Sequence, residues 1–276
     1  METLKDTYGF FLKNQLPVIK PAIAGYDMET GNSFLEFILK ILPNTTLNPR
    51  GTIPEDLNPK NFMQSLWDKQ AVWWAYAESP LNYFIGMSLI MNWIKKADII
   101  KNVLGVGVGP GLYELFIEHT FKDKIESFYC TDISINMIGQ VKDNQRRFKA
   151  AYRQKSKLKL QVCGIESLPF ANESMDIVIC NKVLHWSFKK RDAVEEMCRV
   201  LKPGGLIMLI VPNGQAGIES ENGMIPVNDP IDSVQLSNFL KTLSFDYLDH
   251  KEIKFPKPLG QARGAIDDFA VLFRKK

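Results

Sequence analysis

The sequence is poor in the residues that build metal and nucleophile sites. It holds 3 histidines and 4 cysteines in 276 residues. Cys130, Cys163, Cys180 and Cys198 form no CxxC pair, and His119, His185 and His250 have no ligand-like spacing to them, so no metal centre is expected. Three of the cysteines end apolar runs, and all four read as small core residues of a reducing compartment. An excess of charge is also missing. Lys and Arg number 34 against 31 Asp and Glu, a net +3 that does not point to nucleic acid or an anionic membrane as a partner. The longest apolar run, Leu81 to Ile94, is interrupted by Asn82, Ser88 and Asn92 and falls short of the roughly 20 residues a membrane span needs. The first residues carry Glu2, Asp6 and Lys13 and no extended apolar core, so they do not read as a signal peptide, and a cytoplasmic location is expected. There is no internal repeat and no low-complexity tract. What remains is 45% hydrophobic and 24% charged, which suits one sizeable folded domain with an added subdomain and excludes a disordered, collagen-like or disulfide-stapled chain.

The texture of the chain changes near Ala97. Before it lie helical patterns: Phe34 to Leu42, capped by Asn32 or Ser33, then Phe62 to Ala77 and Leu81 to Lys96, with a turn-rich loop from Pro43 to Asn61. After it, strands and helices alternate. Strands are expected at Lys101–Val106, Ile125–Cys130, Leu158–Cys163, Met175–Cys180 and Leu206–Val211, with helices at Leu112–Thr120, Ile135–Tyr152 and Arg191–Leu201. These short apolar runs lack strict alternation, which suggests a parallel sheet covered on both faces. A last helix, Ser233 to Leu243, precedes two strand-like runs, SFDYLDHKEIKF and DDFAVLFRK.

The strongest local signal is NVLGVGVGPGLYEL, residues 102–115, where a strand runs through Gly105, Gly107, Gly109 and Gly111 into a helix. Glycines let a backbone approach a ligand closely, and the helix start offers unpaired N–H groups. The same glycines also serve a tight strand-to-helix turn. The G-x-G-x-x-G pattern of dinucleotide binders fails here, because its third glycine would fall on Pro110 or Leu112. The pattern present is G-x-G-x-G, Gly107 to Gly111.

With its neighbours this segment resembles the class I S-adenosylmethionine-dependent methyltransferases. The likeness spans residues 99–212 and rests on five stretches in order: the glycine loop, FYCTDIS, VCGIESLPFANESMDIVIC, NKVLHW and CRVLKPGGLIMLI, of which the LKPGG turn is the most family-typical. It implies an α/β fold, a Rossmann-like seven-stranded mostly parallel sheet with an antiparallel last strand, plus an N-terminal helical cap. Residues 1–96 would be the cap and 97–276 the cofactor-binding domain.

The resemblance also assigns roles. Gly107, Gly109 and Gly111 would cradle S-adenosylmethionine. Asp132 would accept hydrogen bonds from both ribose hydroxyls, or merely cap the next helix. Ile133 and Met137 would pack near the adenine, Met137 alternatively in the helix core. Gly164, Ile165 and Glu166 would lie at the adenine edge, with Glu166 alternatively a surface charge. Asn181 and Val183 would offer groups to the methionyl end. His185 would take a proton from the acceptor or simply pack, and Trp186 would contact the acceptor or pack. Two positions depart from the family pattern. Gly105 and Gly164 stand where acids are usual, the first for the methionyl ammonium and the second for the adenine amine. The aromatics Trp67, Trp73, Trp74, Tyr76 and Tyr83 read as core, or as a lid in which Tyr76 touches the substrate and Glu78 or Asp68 replaces the missing acid. The basic cluster Arg146, Arg147, Arg153, Lys155, Lys157 and Lys159 reads as a solvated face. The polar stretch from Pro212 to Asp229 reads as a long loop, part of an acceptor lid or a surface excursion.

The expected activity is therefore methyl transfer to an oxygen, nitrogen or carbon nucleophile of a small molecule. Attack at the methionyl side chain (cyclase, lyase or aminocarboxypropyl transfer) and a non-catalytic binding role are the alternatives.

Overall fold

The order of the strands decides where the loops between them gather. The computed structural model describes residues 59–77, 80–153, 156–212, 217–220, 223–226, 233–253 and 268–276. Helices α1 (Pro59–Ala77) and α2 (Pro80–Ile94) come first. There follow β1 (Asn102–Val106), α3 (Leu112–Thr120), β2 (Ser127–Asp132), α4 (Ile135–Tyr152), β3 (Leu158–Val162) and β4 (Met175–Asn181). A short turn of 3₁₀ helix, Leu184–Trp186, leads to α5 (Lys190–Val200) and β5 (Leu201–Pro212). The hairpin β6 (Gly217–Ser220) and β7 (Gly223–Pro226), then α6 (Ser233–Thr242), β8 (Phe245–Ile253) and β9 (Asp268–Lys275) complete the chain.

Seven strands form one sheet in the order β3-β2-β1-β4-β5-β9-β8. β1 to β5 pair in parallel, and β9 lies antiparallel between β5 and β8. This is the Rossmann-like sheet expected, with the last strand reversed. The order turns back at β1, which has β2 on one side and β4 on the other, so a crevice opens beyond the carboxyl ends of these three strands.

Side-chain alternation explains why both faces are covered. Val103, Phe128, Cys130, Ile177, Ile179, Met208 and Leu272 pack with α2, α3 and α4 through Ile90, Trp93, Phe116 and Phe148. Leu104, Val106, Val178, Cys180, Ile207, Leu209 and Val271 face the other way, against Val194 and Met197 of α5 and Leu236 and Leu240 of α6. Buried Asp176 locks the start of β4. Its carboxylate accepts from the Lys101 and Asn102 N–H groups at 3.0 and 2.7 Å and from Lys202 Nζ at 2.7 Å. Asp249 on β8 ties down α2, accepting from Trp93 Nε1 at 3.0 Å and Lys96 Nζ at 2.8 Å, and the lysine beside it holds the carboxyl down at about 2.

Some elements differ from the sequence expectation. α1 begins at Pro59, inside the stretch read as loop, because proline fits a first helical turn whose N–H groups have no partner. The LKPGG turn lies within β5, where pairing with β4 jumps from Met175↔Leu201 to Ile177↔Leu206 and Gly204 takes a left-handed φ of 78°. The polar stretch after β5 contains the β6–β7 hairpin, formed by strands of only four residues each. Cys163 is half-buried, while Cys130, Cys180 and Cys198 are buried as expected, and all four are free thiols. The helix expected at residues 34–42 and most of the 43–61 loop lie outside the described residues. Among the described residues no helix is long and apolar enough to cross a membrane, and no cluster of His, Cys, Asp and Glu could hold a metal ion.

Candidate functional site

The crevice is lined by the end of β1 and its loop, by the ends of β2 and β4, and by α1. The loop after β1 turns tightly because glycine stands where the backbone is left-handed and a side chain would have no room. Gly107 has a φ of 62°, and a Cβ there would stand 2.4 Å from a Val183 methyl. Gly111 has a φ of 72° and caps α3, where a Cβ would meet Val141 at 2.7 Å. The loop is pinned by the Val108 N–H to the Thr131 carbonyl at 3.0 Å and by Asn144 Nδ2 to the Pro110 carbonyl at 2.9 Å. Gly107 and Gly109 line the cavity; Gly111 does not, and serves instead as the joint between loop and α3.

Asp132 ends β2 and faces this loop. Its Oδ2 accepts the Gly109 N–H and its Oδ1 the Ser134 N–H, each at 2.9 Å. A carboxylate offers about four lone-pair sites, so these bonds leave room for a ligand hydroxyl. Burial raises this carboxyl to about 6, with Asp68 adding to the effect against the N–H groups of Ser134, Gly109 and Ile133. The cap of α4 is Ser134, whose Oγ accepts the Met137 N–H at 3.1 Å. Asp132 is thus not that cap.

Ile133, Met137, Gly164, Ile165 and Glu166 line the same cavity. The segment after β3 is held from α5: Arg199 donates to the Leu168 and Phe170 carbonyls at 2.9 and 2.8 Å, and Glu196 accepts the Leu168 N–H at 2.8 Å. Glu166 is not a loose surface charge. Its Oε1 accepts from Ser187 Oγ at 2.5 Å, and its Oε2 lies 2.9 Å from where a Cβ on Gly164 would stand. The carboxylate absent from position 164 is therefore present in the same space, supplied from two residues on.

Beyond β4 the wall is Asn181, Lys182, Val183, Trp186 and Ser187. Asn181 has a buried Oδ1 with no hydrogen-bond partner among the described residues. Lys182 adopts a left-handed φ of 58° and its Nζ lies 3.0 Å from the buried Asp268. Trp186 meets Trp67 of α1 edge to face at 5.0 Å, and Met63 lies on the same side. α1 is fastened to the site by Asp68, which accepts from Ser134 Oγ at 2.5 Å, while Asn136 Nδ2 donates to its carbonyl at 3.0 Å.

The remaining residues singled out from the sequence lie away from this lining or outside the described residues. His185 is buried and is not part of the cavity lining. It packs on Trp186 at 5.2 Å, and burial, with Lys182 and Lys190 nearby, brings it down to about 3, so it stays neutral and is a very weak base. Asp68, read as a replacement for the missing acid, is engaged with the start of α4. The side chain of Tyr76, and Glu78 altogether, lie outside the described residues.

Sequence reasoning missed Glu114. It is only 5% exposed and lines the cavity. Its signal was a charge inside the apolar helix LYELFIE, every residue from Leu112 to Glu118 being buried. A Cβ on Gly105 would stand 3.1 Å from its Oε1.

Residues 104–209 match the methyltransferase domain family. That segment is similar to a methyltransferase domain. A hybrid PKS-NRPS synthetase, lepA, of Aspergillus flavus is 29% identical over 144 residues, 49% of this chain and 3% of the synthetase. The malonyl-[acyl-carrier protein] O-methyltransferase of Salmonella typhimurium is 28% identical over 106 residues, 38% of this chain and 37% of that enzyme. The chain thus spans only a small part of the first and little more than a third of the second. A SAM-dependent methyltransferase structure from Methanosarcina mazei superposes with a TM-score of 0.54 at 18% identity, covering 68% of this chain and 96% of that one, and shares the fold.

S-adenosylmethionine is the cofactor that this similarity implies, and the lining fits it. The glycine cradle, a buried carboxylate with free lone pairs, the apolar Ile133 and Met137, and the orphaned Asn181 Oδ1 supply places for a diol, a flat ring and polar groups of an amino-acid tail.

Proposed function

We propose that the chain binds S-adenosylmethionine in this cavity and transfers its methyl group to a nucleophile of a small-molecule acceptor. The observation that carries the reading is the pairing of Asp132 with the Gly109 N–H across the cavity floor, a carboxylate fixed by the same loop that the missing side chains open. Asp132 receives the ribose hydroxyls, and Glu166 receives the adenine amine. Ile133 and Met137 sandwich the ring. When bound, the sulfonium supplies an electrophilic methyl group. The protein's task is then to hold the acceptor in line and keep water out.

Trp67 and Trp186 do the second part of that task, since their edge-to-face pair closes one side of the cavity with apolar surface. α1 is in this reading the cap. α2, although it precedes residue 97, contributes Met87, Ile90, Trp93 and Ile94 to the domain's own core. His185 supports Trp186 from behind and takes no proton. The similarity to the malonyl-[acyl-carrier protein] enzyme covers 38% of this chain and does not carry an acceptor with it.

The test is incubation with methyl-labelled S-adenosylmethionine and a panel of carboxylate, amine and phenol acceptors, free and carrier-bound. S-adenosylhomocysteine with a labelled acceptor supports the proposal. Methylthioadenosine as product would replace it with chemistry at the methionyl side chain, and binding without turnover would replace it with a binding role.

A further inference from the structure

The cavity holds a second buried carboxylate that the reading above leaves without a task. Glu114 stands in the first turn of α3, on a helix whose other residues from Leu112 to Glu118 are all buried. Its side chain fills the room beside the carboxyl end of β1. A Cβ on Gly105 would meet Glu114 Oε1 at 3.1 Å, Glu114 Cγ at 3.2 Å and a Val108 methyl at 2.8 Å. The carboxylate of Glu114 thus occupies the space a side chain at position 105 would enter.

The ligand class proposed for this cavity carries a cationic α-ammonium group at the end remote from its adenine. The adenine end is accounted for by Asp132, Ile133 and Glu166, and Glu114 lines the same cavity beside Val106 and Gly107. We infer that Glu114 is the anionic partner of the methionyl ammonium, and so the residue by which this chain selects the full cofactor over nucleosides that lack the amino-acid tail. The inference rests on the proposed cofactor reading and deepens it. It explains how one glycine in the cradle is tolerated: the acid has moved from the strand to the helix, as Glu166 stands in for Gly164.

The test is calorimetric titration of the native protein and Glu114→Gln with S-adenosylhomocysteine, which has the ammonium and a neutral sulfur, and with methylthioadenosine, which has neither charge. Glutamine keeps the size and removes the charge, and thermal unfolding of both proteins without ligand confirms equal folding. The expected result is an affinity for S-adenosylhomocysteine lowered about ten- to 100-fold, the range of one charge-assisted hydrogen bond, with methylthioadenosine unchanged. An equal loss for both nucleosides would make Glu114 a structural residue and overturn the inference. So would a variant that binds both as the native chain does. A native chain that binds neither nucleoside overturns the cofactor reading itself, an outcome distinct from a binding chain indifferent to Glu114→Gln.

Discussion

Gly107→Ala tests the shape of the cradle, and its cost can be divided into two parts. Gly107 has a φ of 62°, and a methyl there would lie 2.4 and 2.5 Å from the two Val183 methyls. A side chain in the left-handed conformation costs about 1–2 kcal/mol. Forcing a methyl into filled space costs roughly 1–3 kcal/mol more. The single variant should therefore lose about 2–5 kcal/mol, a large share of the ~5–15 kcal/mol by which a domain is stable. The steric part belongs to Val183 and the backbone part does not. Val183→Ala should recover some of the first, although not all, because Val183 Cβ would still lie 2.9 Å from the new methyl. The expected coupling in a double-mutant cycle is about 1–2 kcal/mol, with the double variant more stable than the sum of the singles. Urea unfolding of the four proteins followed by circular dichroism measures it. Additivity within about 0.5 kcal/mol would refute the reasoning, since Val183 would then not be the obstacle.

Three further outcomes follow from the charges. Asp132 sits at about 6, so the affinity for S-adenosylhomocysteine should fall as pH drops below that value, and Asp132→Asn should bind weakly with little pH dependence; titrations between pH 5 and 8 would show it. His185 sits at about 3 in the folded chain against 6.5 when unfolded, so the native state holds fewer protons in that window, and stability is lost as pH falls through it. His185→Gln should make the slope of unfolding free energy between pH 4.5 and 6.5 shallower, by at most about 1.4 kcal/mol per pH unit near pH 4.5 and about half that at pH 6.5, and an unchanged slope would contradict the burial of a neutral imidazole. Asp132 acts with the opposite sign between 3.8 and about 6, because its raised value favours the native state at low pH, so the comparison must be made against the native chain. Asp268→Ala should destabilise by about 3–5 kcal/mol, because it leaves Lys182 in a largely buried site without the carboxylate 3.0 Å away; a loss under 1 kcal/mol in urea unfolding would show that the pair contributes little.

Much of the fold was legible because parallel strands with two covered faces leave contiguous apolar runs, and each run after Lys101 became a strand. The glycine loop and Asp132 were legible for a similar reason: a close backbone approach and one fixed carboxylate beside it are both written locally. What sequence could not show was compensation in space. Gly105 and Gly164 look like losses along the chain, yet Glu114 and Glu166 occupy the room beside them, nine and two residues further on. Helix and loop geometry bring those atoms together, and no motif spacing records it. The placing of His185 was hidden for the converse reason. Its place after β4 suggested the reacting end, but the 3₁₀ turn Leu184–Trp186 sends Trp186 to the cavity and His185 behind it.

The most direct test of the central claim is calorimetric titration of the native chain with S-adenosylmethionine, run beside Asp132→Ala. The account predicts one binding site in the native protein and an affinity at least about tenfold lower in the variant, the loss of one charge-assisted contact or more, with both proteins folded. Binding that Asp132→Ala retains in full, or a folded native chain that does not bind, would contradict it.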